Sequence, residues 1–557
     1  MGASAGDLFR PQQTSTPTLP TRRFTRVEGA SEQDTRLAHS PFCARPARMK
    51  PAANYYITTA IAYPNGAPHM GHAYEAIATD AIARFHRLDG RNVRFLTGTD
   101  EHGLKIAQAA RAAGIPPRQY VDGTVEAFRE LSRVFDISHD RFIRTTDADH
   151  YAASQELWRR IADKGDLYLD RYEGWYSVRD EAYYDEGELV EAVDSAGEKI
   201  KLSPQGTPVE WTVEESWFFR LSKYQDQLLA LYDDPEFVRP ASRCNEMRSF
   251  VAGGLKDVSV SRTSFDWGVP VPDAPGHVMY VWLDALTNYL TGAGFPGNEG
   301  EWWPADLHVI GKDVVRFHAV YWPAFLLSAG VAVPKSVFGH GFVLNRGEKM
   351  SKSVGNVVDP LALAETLGVD RLRWFLLRDV AFGDDGNYTH EAIVERTNAD
   401  LANGIGNLAQ RALAMVAKNC DGRMPVGGEG ETALDQGFAS GIETYLGHMR
   451  ELQLHRALET VMTLVSEANG YFADAAPWAL RKTDPDRMAA VLAATLDATR
   501  RIAILAQPVI PGAAARLLDQ LGVADDARDF TSLDVRVAPG TTLPEPQGVF
   551  PRWVGTE

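Results

Sequence analysis

Cysteine is scarce in this sequence: only Cys43, Cys244 and Cys420 occur among 557 residues. Because they lie far apart, they form no CxxC pair, which argues against a cysteine-based zinc site and favours a reducing compartment. Long apolar runs are also missing. No stretch approaches the roughly 18 consecutive apolar residues of a membrane span, and the start of the chain has no signal-peptide core. We therefore expect no membrane segment.

Positive charge is in short supply. The chain has 57 Lys and Arg against 74 Asp and Glu, a formal net charge of −17. Non-specific nucleic-acid binding relies on broad neutralisation of phosphates by basic residues, so this composition argues against it. A specific RNA partner bound through a local basic patch remains compatible with the composition.

Residues 1–50 differ from the rest of the chain. They are rich in Pro, Thr, Ser and Arg and lack apolar periodicity, which is typical of disorder. Patterned sequence begins directly after Met49. We interpret residues 1–50 as a disordered or non-native extension. Two origins stay open, a start codon placed too far upstream and a transit peptide over residues 1–48.

The remaining chain alternates between predicted strands and helices. An apolar run at 55–61 and strand-like segments at 93–103 and 139–147 alternate with helical patterns, which predicts a parallel sheet with right-handed crossovers. From 166 to 240 short aromatic-rich segments with turn residues predict an inserted β-rich module. From about 388 to 525 almost every window has helical periodicity, which predicts a bundle.

A first candidate nucleotide motif is "YPNGAPHMGH", residues 63–72. A strand that ends in a Pro-Asn-Gly turn and leads into a helix places a site at the carboxyl end of the sheet, where a helix N-terminus attracts anions. His69 and His72 share one face of the first turn, and Gly71 leaves room for a flat ring. On this segment alone, two surface histidines are an equally good interpretation.

A second candidate motif is "KMSKS", residues 349–353. Its lysines, Lys349 and Lys352, lie among serines and glycines and could close over phosphates, although basic loops are also common at solvated surfaces. Other nucleotide motifs fail. No G-x-x-x-x-G-K-[ST] occurs, and the G-x-G-x-x-G match at 292–297 follows a helical pattern and contains Pro296.

In this order, the two motifs resemble the signature sequences of class I aminoacyl-tRNA synthetases. Further segments resemble the methionyl-tRNA synthetase family from about residue 53 to the C-terminus, including "FLTGTDEHG", "YVWLDALTNYL", "HVIGKDVVRFHAVYWPA", "NGIGNLAQR" and "DAAPW". The resemblance implies an α/β fold in which a Rossmann-type parallel sheet is split by a β-rich connective module and followed by an all-α anticodon-binding bundle. The implied boundaries are a catalytic domain in two halves (51–165 and 241–340), the module (166–240), a KMSKS linking domain (341–388), the bundle (389–530) and a C-terminal tail (531–557).

The resemblance also implies an activity: ATP-dependent formation of methionyl-adenylate with release of pyrophosphate, then transfer to the tRNA 3′ end. The implied methionine site comprises Ala60, Ile61, Tyr63, Asp100, Trp282, Ala285, Tyr289, Val314, His318 and Trp322. The implied ATP site comprises His69, Gly71, His72, Gly311, Asp313, Lys349 and Lys352, and catalysis is assigned to His69, His72, Lys349, Lys352 and Arg262. The implied anticodon readers are Asn407, Arg411 and Trp478. Burial in the core is the alternative for Trp322 and Trp478, and a surface salt bridge is the alternative for Arg262.

The implied partners are methionine, ATP with Mg²⁺, and initiator and elongator methionine tRNA. Many relatives hold a zinc ion in the connective module, but here Ser177 and Asp180 stand where a CxxC pair would, so we expect no structural zinc. The end of the chain resembles relatives without a dimerisation domain, so a monomer is expected. The expected location is the cytoplasm, or the mitochondrial matrix if residues 1–48 are a transit peptide. An inactive tRNA-binding relative is the main rival, but it would have no need for the phosphate-handling residues.

Overall fold

The computed structural model describes residues 53–180, 182–194, 197, 199–350, 356, 358–427 and 432–554. The extension predicted for residues 1–50 and the loop residue Lys352 lie outside this described part. Residues 52–557 form one compact unit.

Seventeen strands lie within the described residues. In chain order they are β1 Asn54–Thr59, β2 Asn92–Thr99, β3 Arg141–Arg144, β4 Leu167–Ser177, β5 Ala182–Tyr184, β6 Val190–Val193, β7 Lys199–Leu202, β8 Pro208–Phe219, β9 Val238–Arg239, β10 Val258–Ser259, β11 Ser261–Arg262, β12 Val278–Met279, β13 Leu307–Gly311, β14 Val337–His340, β15 Val343–Asn345, β16 Glu348–Lys349 and β17 Gly386–Tyr388.

Seventeen α-helices accompany them within the same residues. In chain order they are α1 Met70–Leu88, α2 Leu104–Ala113, α3 Pro117–Val134, α4 Ala148–Asp163, α5 Gln225–Leu231, α6 Ala241–Ala252, α7 Val281–Ala293, α8 Trp322–Ser328, α9 Pro360–Leu367, α10 Val369–Asp379, α11 His390–Thr397, α12 Asn407–Asn419, α13 Thr432–Arg450, α14 Leu454–Ala475, α15 Pro477–Leu480, α16 Pro485–Ala506 and α17 Pro511–Gln520. Two π-helices, Phe317–Tyr321 and Asn398–Gly406, precede α8 and α12.

The central sheet is parallel and has six strands in the order β3-β2-β1-β13-β14-β9. Five of the six β1 residues are buried, as expected for an apolar strand covered on both faces. The order reverses between β1 and β13, and a parallel sheet binds ligands outside the carboxyl ends of its strands at such a point. The predicted fold class, a Rossmann-type sheet, is confirmed.

The inserted segment forms an antiparallel sheet in the order β5-β4-β8-β7-β6. Its long pair, β4 and β8, joins residues 167–176 to residues 210–219, and β10 adds to β8 beside the return to the central sheet. The aromatic-rich pattern of 166–240 predicted this β-rich insertion. The chain enters and leaves the module at Leu167 and Phe219, whereas Arg179, Asp180 and Gln205, beyond the far end of the β4–β8 pair, line a cavity.

The C-terminal part of the described chain is helical, and one buried side chain joins it to the sheet. Arg373 on α10 is fully buried. Its guanidinium donates to the carboxylate of Asp80 on α1 at 2.6 Å, to Phe135 O at 2.9 Å and to Val509 O at 2.7 Å. This residue therefore ties the first helix of the catalytic domain to the turn between α16 and α17. Within the described residues, no helix is long and apolar enough to span a membrane.

Candidate active site

The segment "YPNGAPHMGH" explains how α1 begins. The ring of His69 accepts a hydrogen bond from Gly71 N at 3.1 Å, and the ring of His72 accepts one from His69 N at 3.1 Å, so the two histidines form a reciprocal N-terminal cap. Their rings stack 3.8 Å apart. A Cβ on Gly71 would lie 2.9 Å from the His69 ring, so a larger residue here would displace that ring. The two-histidine spacing therefore builds the helix N-terminus itself.

A cavity of about 430 Å³ opens at the carboxyl ends of β1, β2, β13 and β14. Most of the predicted substrate residues line it, although they are scattered over some 290 positions of the sequence. The predicted residues that line the cavity are Ala60, Ile61, Tyr63, His69, Gly71, His72, Asp100, Trp282, Ala285, Tyr289, Gly311, Asp313, Val314, His318 and Lys349. The fold thus brings both sequence motifs into one site.

One end of the cavity is acidic and aromatic. Asp100 follows β2 directly, is 8% exposed, and its backbone N–H donates to Ala62 O at 2.8 Å. Trp282 stacks on Phe317 with ring centroids 3.7 Å apart, and Tyr289 is buried beside them. A carboxylate facing apolar aromatic rings can hold a small ligand that has a cationic group and an apolar chain.

His318 is neutral at this end of the cavity. Its Nδ1 lies 2.9 Å from Val314 O, which can only accept, so Nδ1 carries the proton. Its Nε2 then accepts from the Tyr289 hydroxyl at 2.7 Å. Burial lowers the pKa of His318 to about 4, with the hydrogen bond to Val314 acting in the opposite direction. The π-helix over Phe317–Tyr321 places this ring against the cavity.

The other end of the cavity carries features that suit phosphates. The N-terminus of α1 with its two histidines lines the cavity together with Asp313, which follows Gly311 at the end of β13. Lys349 lies on β16, with its ammonium 4.3 Å from the centre of the Phe342 ring. A helix N-terminus and a lysine both favour anions. The second loop lysine, Lys352, lies outside the described residues.

Two predicted residues do not line the cavity. Trp322 is fully buried and packs behind Tyr289, with ring centroids 6.1 Å apart. Arg262 is 2% exposed, stacks on Tyr280 at 4.7 Å, and donates to Ser259 Oγ at 2.8 Å and Ser261 O at 2.7 Å. Arg262 is therefore buried beside the module and does not form the surface salt bridge that was the alternative interpretation. Its substrate role stays a prediction.

An ion pair among the cavity residues, between Glu75 and His340, was missed by sequence reasoning. His340, the last residue of β14, has its Nε2 3.0 Å from a carboxylate oxygen of Glu75 on α1. Burial opposes a charge on His340, but the Glu75 carboxylate outweighs it and raises the pKa of His340. Both side chains line the cavity. Glu75 lies one turn after His72 on α1, but its partner is 265 positions away, so no local spacing pointed to the pair.

The three predicted anticodon residues lie together in the helical part. Asn407 begins α12 and is exposed, and Arg411 lies one turn further. The guanidinium of Arg411 is 5.4 Å from the centre of the Trp478 ring and 4.8 Å from that of Phe472. Trp478 is 50% exposed at the start of α15, after Ala476 in the left-handed conformation. An exposed indole beside a guanidinium is suited to stack on an unpaired base.

Comparison with known proteins follows the same division of the chain. Residues 55–413 match the family described as "tRNA synthetases class I (M)", and residues 424–554 match "Anticodon binding domain of methionyl tRNA ligase". The chain belongs to the methionyl-tRNA synthetase family. Family members named methionine–tRNA ligase from Mesorhizobium japonicum and Mycobacterium bovis are each 58% identical to it, covering 90% and 91% of this chain and 98% of each relative.

Solved structures of the family have the same fold. The methionyl-tRNA synthetase of Mycobacterium tuberculosis in complex with methionyl-adenylate aligns with a TM-score of 0.87 at 57% identity, over 90% of this chain and 100% of that one. The apo form of that enzyme aligns with a TM-score of 0.81 at 53% identity, over 91% of this chain and 99% of that one.

The connective module departs from family members that hold zinc. Asp180 accepts hydrogen bonds from Tyr184 at 3.0 Å, from Ser203 at 2.7 Å and from Thr207, and Ser177 lies 2.7 Å from Thr207. Hydroxyl groups and one carboxylate thus join the two loops of the module. Among the described residues, no three His, Cys, Asp or Glu side chains form a group that could hold a metal. The absence of structural zinc stays a prediction.

Proposed function

We propose that this chain attaches methionine to its tRNA in two steps at the cavity described above. The carboxylate oxygen of methionine attacks the α-phosphorus of ATP, the bond from that phosphorus to the bridging oxygen of pyrophosphate breaks, and methionyl-adenylate forms. A hydroxyl of the tRNA 3′-terminal ribose then attacks the carbonyl carbon, and AMP leaves. The observation that carries the proposal is one cavity lined both by a carboxylate with aromatic rings and by a helix N-terminus with a lysine.

The aromatic end is suited to methionine. Asp100 pairs with the α-ammonium in a charge-assisted hydrogen bond. Tyr63, Trp282 and Tyr289 surround the side chain, and a thioether sulfur makes favourable contacts with aromatic rings. Because the neutral His318 uses its only N–H on Val314, it adds no charge to this end of the cavity.

The phosphate end positions ATP for in-line attack. His69, His72 and Lys349 approach the phosphates, with Lys352 of the same loop, and ATP enters with its Mg²⁺ as part of the substrate. Negative charge grows on the pentavalent phosphorus and on the departing pyrophosphate. Positioned donors that meet this charge lower the barrier without any covalent step by the protein.

The helical domain recognises the tRNA. Asn407, Arg411 and Trp478 are the proposed anticodon contacts, by base stacking and by reading of base edges. We further propose the domain boundaries given above, a monomer, and a cytoplasmic location. The cluster of Arg411, Phe472 and Trp478 supports the recognition role, because it leaves an indole face exposed.

The experiment is pyrophosphate exchange into ATP, measured with each of the twenty amino acids, followed by charging of methionine tRNA. Exchange should depend on methionine and should need no tRNA. Exchange that depends on another amino acid, or no exchange at all from folded protein, would contradict the proposal.

A further inference from the structure

A buried carboxylate, Asp284, lies behind the aromatic wall of the cavity. It is on α7, the helix whose residues Trp282, Ala285 and Tyr289 line the cavity, but Asp284 itself is fully buried. Each of its oxygens meets one imidazole. Oδ2 lies 2.6 Å from Nδ1 of His102, and Oδ1 lies 2.7 Å from Nε2 of His150 on α4.

Asp284, His102 and His150 form the Asp284 network, which connects two walls of the site. His102 comes two residues after Asp100 in the loop between β2 and α2, and its exposed fraction is 1%. The second ring nitrogen of His102 lies 2.9 Å from the hydroxyl of Tyr151 on α4. Asp284 and His102 are 182 positions apart in sequence, so the network fixes the Asp100 loop to α7.

The residue between Asp100 and His102 is also held. Glu101 is fully buried, and its carboxylate accepts two hydrogen bonds from Arg144, at 2.6 Å and 2.9 Å. Thr146 donates to the same carboxylate at 2.6 Å. Asp100 is therefore the one member of this tripeptide whose side chain lines the cavity, and the next two residues are fixed by charge-assisted bonds.

The energy of an ion pair depends steeply on where its two charges lie when the pair is screened from water. Asp100 pairs with the substrate ammonium, while α7 contacts the substrate side chain. A ligand that bridges both walls gains from both only if their separation is already correct before it binds. The Asp284 network sets this separation, because it bonds one wall directly to the other.

We propose that Asp284 and His102 are positioning residues that hold Asp100 in place for the α-ammonium of the substrate amino acid, and so help select α-amino acids of the right length. This proposal rests on the proposed function, since it assigns a role to residues around the same site. Neither residue lines the cavity, and both act through Asp100 and α7.

The test compares ligands with and without an ammonium group in the variants Asp284→Asn and His102→Gln. Methioninol carries the ammonium, whereas 4-(methylsulfanyl)butanoate has the same thioether chain without it. Inhibition constants for both are measured in pyrophosphate exchange, together with the KM values of methionine and ATP. We expect the KM of methionine and the inhibition constant of methioninol to rise about ten- to a hundredfold, the size of a small misplacement at a site. The constants for 4-(methylsulfanyl)butanoate and ATP should change little.

Asp497→Asn is the matched control. Asp497 in the helical domain is likewise a buried carboxylate held between two side chains, here those of Arg500, with Nε at 2.9 Å, and Arg501, with Nε at 3.1 Å. The Asp497→Asn variant should lose stability, but the ratio of the inhibition constants of the two ligands should stay at the wild-type value. If Asp284→Asn does not fold, Tyr151→Phe is the alternative variant, because it removes the hydrogen bond between Tyr151 and His102. It should raise the inhibition constant of methioninol by a smaller factor.

A double variant separates positioning from general damage. In an Asp100→Ala background, Asp284→Asn should add nothing to the loss of methioninol binding, because the two changes act through one contact. Additive losses, or equal weakening of both inhibitors by Asp284→Asn, would contradict the positioning role. Failure of the wild-type protein to show methionine-dependent exchange would instead contradict the proposed function, so the two failures are distinguishable.

Discussion

Two tryptophans that sequence reasoning placed beside substrates occupy opposite environments. Trp322 is fully buried behind Tyr289, and its ring lies 6.0 Å from that of Trp303. Trp478 is half exposed, with the ring of Phe472 and the guanidinium of Arg411 against it. The same residue type therefore supports a catalytic cavity from behind in one region and presents an open stacking face in the other. Burial in the core was the alternative interpretation for both residues. It holds for Trp322 and does not hold for Trp478.

The largest effect is expected from Trp322→Ala. Removal of a fully buried indole leaves a cavity and costs about 3–5 kcal/mol of unfolding free energy. Chemical denaturation measures this loss, and Trp322→Phe should recover part of it. A Trp322→Ala protein with wild-type stability but no methionine-dependent exchange would show that the indole contacts the substrate directly, which would remove the contrast with Trp478.

The second expected effect is a pH dependence of stability that comes from the buried His318. Burial lowers the pKa of His318 from 6.5 to about 4 in the folded chain, so the unfolded chain binds more protons between these values. Stability present above pH 6.5 should therefore be lost as the pH falls toward 4, by about 1.4 kcal/mol for each unit of pKa difference.

Unfolding free energies of wild type and His318→Gln, measured from pH 7 to pH 4, test this sign. The variant should show a shallower loss. The remaining slope belongs to other buried histidines, such as His86, whose pKa burial lowers to about 3. Equal slopes would contradict a neutral, buried His318.

A smaller effect is expected from Trp478→Ala at the exposed site. Loss of one base-stacking contact is worth roughly 1–3 kcal/mol, so charging of tRNA should fall about five- to a hundredfold. Pyrophosphate exchange should stay near the wild-type rate, because adenylate formation needs no tRNA. Trp478→Phe keeps an aromatic face and is the matched control. A clear drop in melting temperature, or equal losses in both activities, would contradict the anticodon role.

The smallest effect is expected in the connective module, on treatment with a zinc chelator. Asp180 and its hydroxyl partners, not thiolates, join the two loops. Melting temperature and exchange should therefore be unchanged after chelation, and elemental analysis should find no stoichiometric zinc. About one tightly bound zinc per chain would show that the module resembles the zinc-holding relatives after all. Asp180→Ala, in contrast, should lower the melting temperature.

Much of the fold was predictable because its signals are local. The apolar run at 55–61 predicted β1, the turn within residues 63–72 predicted the helix that follows it as α1, and the aromatic-rich stretch predicted the inserted sheet. The two π-helices had no such signal, since their extra residue per turn depends on the packing around them.

The site was predictable where a residue lies next to a motif and was missed where a contact spans the chain. His69, Asp100 and Lys349 lie in short recognisable segments. The pair of Glu75 with His340 joins residues 265 positions apart, and Asp284 meets His102 across 182 positions. Such contacts depend on the order of strands in the sheet, which no local pattern contains. Arg262 shows the same limit, because its burial beneath Tyr280 depends on how the module packs.

Arg373 has a consequence for how the molecule unfolds. Its guanidinium bonds to the carboxylate of Asp80 on α1 and to main-chain oxygens of Phe135, Pro508 and Val509, all away from water. If the helical part separated from the sheet, the bonds of Arg373 to Asp80 and Phe135 would break, and the apolar core that the two parts share would be exposed to water. Chains of this size commonly melt in stages, one domain after another. Here we expect a single calorimetric transition that includes both the sheet and the helices.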